Sequence, residues 1–505
     1  MSTNFIQPPP LTQNTEKTGK ILFVTLMILS ALFYGFTIFS HMRIMSWDAD
    51  MYRELGVNLR VHGVYGFGDR PTAYRPPLYP ILLAAVSYGT GLLPDSVDVK
   101  NLSERLPNQA PAILHFLLAI LTVALTYRIG RRIGFTPWFA TVAGLLVLID
   151  QSLLFVAYRS ITELTATFLM VLVIERLLSL GQTGKCRLLK MFIIGLIFGM
   201  AALCRPTFLA FGLLCFPFIV LLEWLQNHSF RALLPGILLM IGVACFIVPW
   251  GIRNQRHFGR FIPTTTHGGV TLFMVNNDPY YDSKSGSFYI DKILNRLQII
   301  PNNNDVRTHC NEIVRERENA ISMRIFNRLQ IPFDPVDPEQ DPKGFMIWRK
   351  NYLSNCSPEQ ELMLDDAYYY EAKQTIAARK IDFIKVSFMR VVKLWYPPEV
   401  GLLSMSFYLY VMEFLLMFCG ILSLARKGLL TLKGDLSRRA TLAACIWFIL
   451  AILSIQLPHL FYNVDSPRMR VPLLPVIVLL AVYGLCSLVR VYRKRRRLTE
   501  KKPEV

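Results

Sequence analysis

Long apolar runs alternate with short charged segments along most of the chain. The runs cover residues 21–39, 112–129, 138–156, 164–180, 191–203, 208–225 and 233–250 and, after a long polar interval, 407–425, 440–457 and 471–489. A helix of about 20 apolar residues crosses the hydrocarbon core of a bilayer. The pattern therefore predicts an all-α polytopic membrane protein with about ten transmembrane helices.

The composition narrows the class of protein further. Of the 505 residues, 53% are hydrophobic and 18% are charged, whereas about 25% are charged in a soluble domain. A large soluble enzyme is excluded, and the aromatic content of 12% excludes a disordered chain. The net charge of +19 comes largely from short loops and one tail between apolar runs, so it indicates membrane topology and not nucleic-acid binding.

Clusters of basic residues predict the side of the membrane on which each loop lies. With an even number of spans, every cluster falls on the same side as the N-terminus. They include residues 128–132, 185–190, 426–439 and 493–497. Because basic loops stay inside, both termini are expected in the cytoplasm. A cleavable signal is the alternative for residues 21–39, but that run is long for one and no small-residue cleavage site follows it.

This topology divides the chain into five regions. They are a cytoplasmic tail (1–20), an N-terminal transmembrane module (21–250) with a first outer loop (40–110), a mixed soluble insert (251–395), C-terminal transmembrane helices (396–490) and a basic tail (491–505). Cys310 and Cys356 share the insert, and an extracytoplasmic location would allow a disulfide between them.

Chemistry is expected first in the first outer loop. Asp48 can cap a helix that runs to His62 and stops at Gly63, with its apolar side chains on one face. Such a helix is amphipathic and suits the membrane interface. Tyr52 is four residues after Asp48, so both project from neighbouring turns. The spacing also fits a simpler interpretation, in which Asp48 only caps the helix and Asp50 is a solvated charge.

The segment PTAYRPPLYP follows in the same loop. Two prolines after Arg75 hold the backbone extended and fix the direction of the arginine. A guanidinium in this position can bind a phosphate through two hydrogen bonds. It can equally reach ordinary phospholipid headgroups.

The order of these features resembles the GT-C glycosyltransferases that use polyprenyl-phosphate sugars. The features are one N-terminal span, Asp48-x-x-x-Tyr52, an amphipathic helix that ends in glycine, and TAYRPPLYP. The resemblance is to the aminoarabinose transferase of lipid A and the protein O-mannosyltransferases, and it implies a GT-C-type bundle. It further implies that Asp48 is the catalytic acid and that Arg75 binds the carrier phosphate. Ala49 stands where the family often has a glutamate.

Later segments extend the resemblance. YRSITELTATFLM is similar to the second outer loop of the family, whose acidic residue approaches the active site, and the resemblance implies this catalytic role for Glu163. From the residues alone, Ser160-x-x-Glu163 is also a helix-capping box. Asp150 is a second acidic candidate, deep in a span where a carboxylate needs a partner.

Four further arginines stand in segments that resemble outer turns of the family. Arg205 lies in ALCRPTF, Arg253 in VPWGIRNQ, and Arg468 and Arg470 in NVDSPRMRVPLLP. The resemblance implies that they help to bind the donor phosphate. His459, close to the last turn, is expected to be structural.

The implied reaction moves a sugar from a polyprenyl phosphate to an extracytoplasmic lipid, glycan or protein, with inversion at C1. Asp48 would act as general base, and Tyr52 would orient either Asp48 or the acceptor. No cofactor is certain, although Asp48 and Glu163 could hold a divalent metal ion. The family implies a bacterial inner-membrane enzyme whose site faces the periplasm, among membrane lipids and without nucleic acid.

Two other functions remain open from the sequence. Ten spans with a few acids near membrane depth also fit a secondary transporter, although the two halves show no internal repeat. An oligosaccharide ligase or polymerase would share the lipid-linked donor, but it would leave Asp48 and the segment around Arg75 unexplained.

Overall fold

The computed structural model describes residues 13–46, 50–90, 109–180, 187–227, 229–285, 304–332, 356–395, 405–429, 436–462 and 467–499. Within them, a small antiparallel hairpin pairs β1 (Gly66–Phe67) with β2 (Arg70–Pro71). The helices in chain order are α1 (Gln13–Ser40), α2 (Tyr52–His62), α3 (Leu78–Thr90), α4 (Gln109–Arg132), α5 (Pro137–Ile149), α6 (Gln151–Ala157), α7 (Glu163–Ser179), α8 (Arg187–Cys204), α9 (Thr207–Asn227), α10 (Leu233–Phe258), α11 (Gly268–Phe273), α12 (Asp278–Ser285), α13 (Asn304–Arg328), α14 (Pro358–Ala378), α15 (Lys380–Trp395), α16 (Met405–Leu429), α17 (Leu436–His459) and α18 (Leu474–Thr499). Short 3-10 helices span Met42–Ser46, Phe230–Ala232 and Pro467–Leu473.

Each run predicted as a membrane span coincides with a helix or, for 138–156, with the bent pair α5 and α6. In the described part of the chain, six helices are long and apolar enough to cross a membrane, or seven if the bent pair is one span. The predicted all-α, polytopic architecture is therefore confirmed. The side of the membrane on which each end lies stays a prediction.

Asp150 stands at the bend between α5 and α6, where the helix axis turns by 54°. Its carboxylate accepts hydrogen bonds from the backbone N–H groups of Ser152 (2.7 Å) and Leu153 (3.0 Å). A broken span exposes backbone donors that lipid cannot satisfy. The acid that looked costly in this span therefore caps α6.

Two helix pairs approach closely because glycine faces the partner backbone. A Cβ at Gly195 of α8 would collide with the carbonyl of Leu239 in α10. A Cβ at Gly420 of α16 would collide with the carbonyl of Leu480 in α18. Such close contact is the usual way in which membrane helices associate, since lipid provides little hydrophobic drive between them.

Helix α2 of the first outer loop begins later than predicted. It starts at Tyr52 after Met51, and not at Asp48, which lies outside the described residues. It ends as predicted at Gly63, where the backbone is left-handed (φ +68°) and the N–H donates to the carbonyl of Leu59. Met51 is also left-handed (φ +61°), which is a strained conformation for a side chain of this type.

The described part of the insert is helical and packs on the first outer loop. A small core of its own unites α11, α13 and α14 with Met51 and Tyr74 of that loop. The boundaries of the insert as a separate region stay a prediction. The pairing of Cys310 with Cys356 also stays a prediction, because the side chain of Cys310 lies outside the described residues.

Candidate active site

A cavity of about 460 Å³ lies where α7 begins and α17 ends. Its walls come from the first outer loop, the turn between α8 and α9, the segment before α11, and the 3-10 helix that precedes α18. The lining residues are Asp50, Tyr52, Tyr74, Arg75, Pro76, Thr162, Glu163, Cys204, Arg205, Pro206, Thr207, Ala210, Thr264, Thr265, His267, Gly268, Thr271, Pro458, His459, Tyr462, Arg468 and Met469. The cavity thus collects polar side chains from segments far apart in the sequence.

Asp50 and Arg75 form the central ion pair of the cavity. The Arg75 guanidinium donates to Asp50 twice, from Nη2 to the carboxylate (3.0 Å) and from Nε to the backbone carbonyl (3.1 Å). Each side chain is 15% exposed. Burial acts to raise the pKa of Asp50, but Arg75, Arg468 and Arg205 outweigh it and hold that pKa below its ordinary value. Asp50 is therefore ionised at neutral pH, and its interpretation as a solvated charge is wrong.

The backbone at Met51 explains why the polar residues on either side of it both reach the cavity. Met51 itself is 3% exposed and packs in the small core beneath. Its left-handed conformation lets Asp50 and Tyr52, on either side of it, both line the cavity. Strained residues of this kind persist where surrounding packing enforces them, often at functional sites.

Aromatic rings position the Arg75 guanidinium. Its central carbon lies 4.8 Å from the ring centroid of Tyr74 and 5.6 Å from that of Tyr52. The hydroxyl of Tyr65 donates to the backbone carbonyl of Arg75 (2.9 Å). Burial raises the pKa of Tyr52, so its phenol stays neutral. Arginine, rings and backbone are thus held together as a preformed unit.

Glu163 forms the second acidic centre of the cavity. It is 3% exposed, and its Oε1 lies 3.4 Å from Arg205 and 3.5 Å from Arg468. The predicted capping box does not form, since Thr162 is the N-cap and the Ser160 hydroxyl donates to the carbonyl of Met45 (2.9 Å). The Glu163 side chain therefore serves the cavity.

Arg468 connects the two acidic centres. It lies 3.5 Å from Asp50 as well as 3.5 Å from Glu163. Three guanidinium groups thus face two carboxylates in the described cavity, which leaves an excess of one positive charge. An arrangement of this kind favours an anion.

Two predicted phosphate-binding arginines do not line this cavity. Arg253 donates to the carbonyls of Thr72 (2.8 Å) and Tyr65 (2.7 Å), and so supports the first outer loop from behind. Arg470 is 6% exposed and interacts electrostatically with Asp150. Asp48, the predicted catalytic acid, lies outside the described residues.

A second wall of the cavity was not recognised from the sequence. It carries the hydroxyl groups of Thr264, Thr265, Thr271 and Tyr462, together with His267. In the described part of the chain, Nδ1 of His267 is buried without a hydrogen-bond partner. Burial and the nearby Arg75 hold the pKa of His267 well below its ordinary value, so the ring is neutral. The run TTTHGG was the signal that could have located this wall.

Glu361 of α14 joins the two walls from beneath. Its carboxylate accepts hydrogen bonds from the Thr72 hydroxyl (2.7 Å), the Ala73 N–H (3.1 Å) and the Thr266 hydroxyl. These residues immediately precede Tyr74 and His267. The side chain is 3% exposed, and burial raises its pKa. One insert carboxylate therefore sets the spacing between the arginine wall and the hydroxyl wall.

Metal binding stays a prediction. Among the described residues, no three His, Cys, Asp or Glu side chains are placed to hold a metal ion. Of the two predicted ligands, Glu163 is engaged with arginines and Asp48 is not described.

Residues 65–261 match the profile of the dolichyl-phosphate-mannose-protein mannosyltransferase family. The predicted resemblance is thereby confirmed over residues 65–261, which are less than half of the chain. The matched range includes Arg75, Glu163 and Arg205. No curated protein sequence matches the chain significantly.

The chain is also similar to three solved membrane enzymes. The oligosaccharyltransferase of Archaeoglobus fulgidus, in complex with zinc and sulfate, is 13% identical with a TM-score of 0.47, over 93% of this chain and 50% of that one. AglB from the same organism, with an inhibitory peptide and a dolichol-phosphate, is 14% identical with a TM-score of 0.47, over 96% and 53%. ArnT from Cupriavidus metallidurans, bound to undecaprenyl phosphate, is 14% identical with a TM-score of 0.34, over 96% and 80%. The chain spans about half the length of the archaeal enzymes.

Proposed function

We propose that this chain is a membrane glycosyltransferase that moves a sugar from a polyprenyl-phosphate-linked donor to an acceptor outside the cytoplasm. The observation that carries the proposal is the charge arrangement of the cavity. Arg75, Arg205 and Arg468 converge there on Asp50 and Glu163, next to a wall of hydroxyl groups. The arginines suit a phosphate, and the hydroxyl groups suit a sugar.

The arginines would stabilise the leaving phosphate. Cleavage of the C1–O bond leaves the electron pair on the phosphate oxygen, so negative charge increases in the transition state. Cations that are already in place lower that barrier most, because they need no reorganisation during the reaction. Arg75 is the first candidate, since its pairing with Asp50 and the two rings fixes its orientation.

An outer-loop carboxylate would accept the proton of the acceptor. As the acceptor oxygen or nitrogen attacks C1, its proton moves to the carboxylate and the phosphate leaves from the opposite face. Direct displacement of this kind inverts the configuration at C1. Asp48 is the predicted base; Asp50 is the carboxylate that the described part of the first outer loop contributes to the cavity, and it is ionised at neutral pH, as a proton acceptor must be.

The hydroxyl wall would orient the sugar and help to exclude water. Thr264 and Thr265 can donate and accept hydrogen bonds with sugar hydroxyls, and Thr271, whose hydroxyl donates to the carbonyl of His267 (2.7 Å), can accept one. Neutral His267 can make one hydrogen bond through Nδ1, as donor or acceptor according to its tautomer. Exclusion of water matters because hydrolysis of the activated donor competes with transfer.

A donor panel in liposomes tests the proposal. Purified protein is mixed with synthetic polyprenyl-phosphate sugars and an envelope extract as acceptor, and donor consumption is compared for wild type, Asp48→Asn and Asp50→Asn. Thermal unfolding checks that each variant is folded. We expect the wild type to consume at least one donor and at least one variant to lose that activity.

Two outcomes would count against the proposal. If both variants match the wild type, the base is another residue, with Glu163 the next candidate. If the wild type consumes none of the donors but accumulates labelled solute in sealed vesicles, the protein is a transporter.

A further inference from the structure

Helix α15 (Lys380–Trp395) carries an uncovered apolar face. Ile381, Ile384 and Phe388 are 70%, 65% and 68% exposed. Their spacing of three and then four residues places them in one stripe along the helix. A contiguous exposed apolar stripe on a helix that is otherwise well packed marks a surface that binds something.

The opposite face of α15 is fixed to the protein, so the helix cannot turn to hide the stripe. Ser387 donates to the carbonyl of Leu460 (2.7 Å), and buried Arg390 donates to the same carbonyl (3.0 Å) and to Asn276 Oδ1 (3.1 Å). Val386 is 1% exposed. The exposed stripe is therefore a stable feature of the fold.

Helix α15 runs from the end of one apolar helix to the side of another. Leu460 directly follows α17, and the ring of Phe383 lies 5.7 Å from that of Phe461. At the other end of α15, the ring of Trp395 lies 5.8 Å from that of Phe414 in α16. Large apolar side chains of these two helices, including Leu457 (42%) and Phe418 (54%), are exposed as expected for lipid contact.

We propose that α15 lies in the membrane interface and binds the phospholipid surface through Ile381, Ile384 and Phe388. Exposed Lys380 and Lys385 flank the stripe and would contact the phosphate groups of the lipids. The same helix packs through Trp395 on Phe414 of α16, a helix whose apolar side chains such as Phe418 are exposed, which favours lipid over a second protein as the occupant. Tyr462 follows Phe461, which packs on α15, and Tyr462 lines the cavity. The cavity would therefore open at the depth of the lipid headgroups.

Photo-cross-linking in the full-length protein tests this position. A benzophenone amino acid replaces Ile384, and the protein is irradiated in vesicles of phosphatidylethanolamine and phosphatidylglycerol. The matched control carries the same group at Tyr370 of α14, which is 54% exposed and outside the stripe. We expect the yield of phospholipid adducts at position 384 to be at least several-fold higher than at position 370. The same benzophenone amino acid in place of Phe388 should give a yield similar to that at position 384.

Two results of this experiment would contradict the proposal. Equal lipid adduct yields at 384 and 370 would overturn the proposal, as would cross-links from 384 to a second copy of the chain instead of lipid. The readout does not depend on sugar transfer, so it stands apart from the test of the proposed function.

Discussion

Replacement of Arg75 by glutamine would remove one of the three guanidinium groups of the cavity and its two hydrogen bonds to Asp50. Loss of one preorganised donor to a developing anion costs about 10²–10³ in kcat, or about 2.7–4 kcal/mol. Arg75→Lys keeps the charge but not the forked geometry, so we expect a smaller loss.

The same substitution should change the pH dependence. In the wild type, nearby arginines hold the pKa of Asp50 below its ordinary value. Without Arg75, Asp50 keeps Arg468 at 3.5 Å but takes up a proton at higher pH than before. If ionised Asp50 is needed for the reaction, the acidic limb of the kcat profile moves to higher pH in Arg75→Gln.

Donor consumption in liposomes, measured across a pH series, checks both effects. Arg260→Gln is the matched control, since Arg260 is paired with Asp366 on the surface and is 57% exposed. Exposed pairs contribute little to stability. An Arg75→Gln enzyme with wild-type kcat and an unmoved acidic limb would refute the assignment of Arg75 to the phosphate.

Substitutions at three further positions have expected outcomes. Glu361→Gln removes an acceptor from a buried cluster of three hydrogen-bond donors. We expect the free energy of unfolding, measured by denaturant titration, to fall by about 1–3 kcal/mol and the KM for the sugar donor, measured by steady-state kinetics, to rise. Unchanged values would contradict the role of Glu361. Asp150→Asn should retain the cap of α6, whereas Asp150→Ala should cost about 0.5–2 kcal/mol; equal thermal unfolding temperatures would show that the cap is unimportant. Burial raises the pKa of Asp365 to about 7. In the folded protein this carboxyl group therefore keeps a proton that the unfolded chain loses near pH 3.9. The free energy of unfolding consequently falls as pH rises between these two values. Asp365→Asn should flatten that part of the stability profile, as thermal unfolding at several pH values would show.

Most of the helical framework could be predicted because it depends on local features. The apolar runs located the spans, and Gly63 marked the end of α2, since only glycine adopts a left-handed backbone without strain. The same local logic failed at the start of α2. The helix begins at Tyr52, because packing of Met51 in the small core enforces a left-handed residue that no capping rule anticipates.

The candidate site could be predicted in part. Arg75, Glu163, Arg205 and Arg468 were identified from the sequence and meet in one cavity, and Tyr52 joins them. Asp50, His267 and Glu361 were not proposed for the site.

The sequence by itself determined the membrane class of the protein, the positions of its spans and the presence of an arginine held rigid by two prolines. These depend on neighbours a few residues apart along the chain. Tertiary structure alone decided that Arg468 meets Asp50 across 418 positions and that Glu361 meets Thr72 across 289. It also turned Arg253 and Arg470 away from the cavity. The physical reason is that a buried charge takes whichever partner packing brings within hydrogen-bond distance, and separation along the chain does not encode that packing.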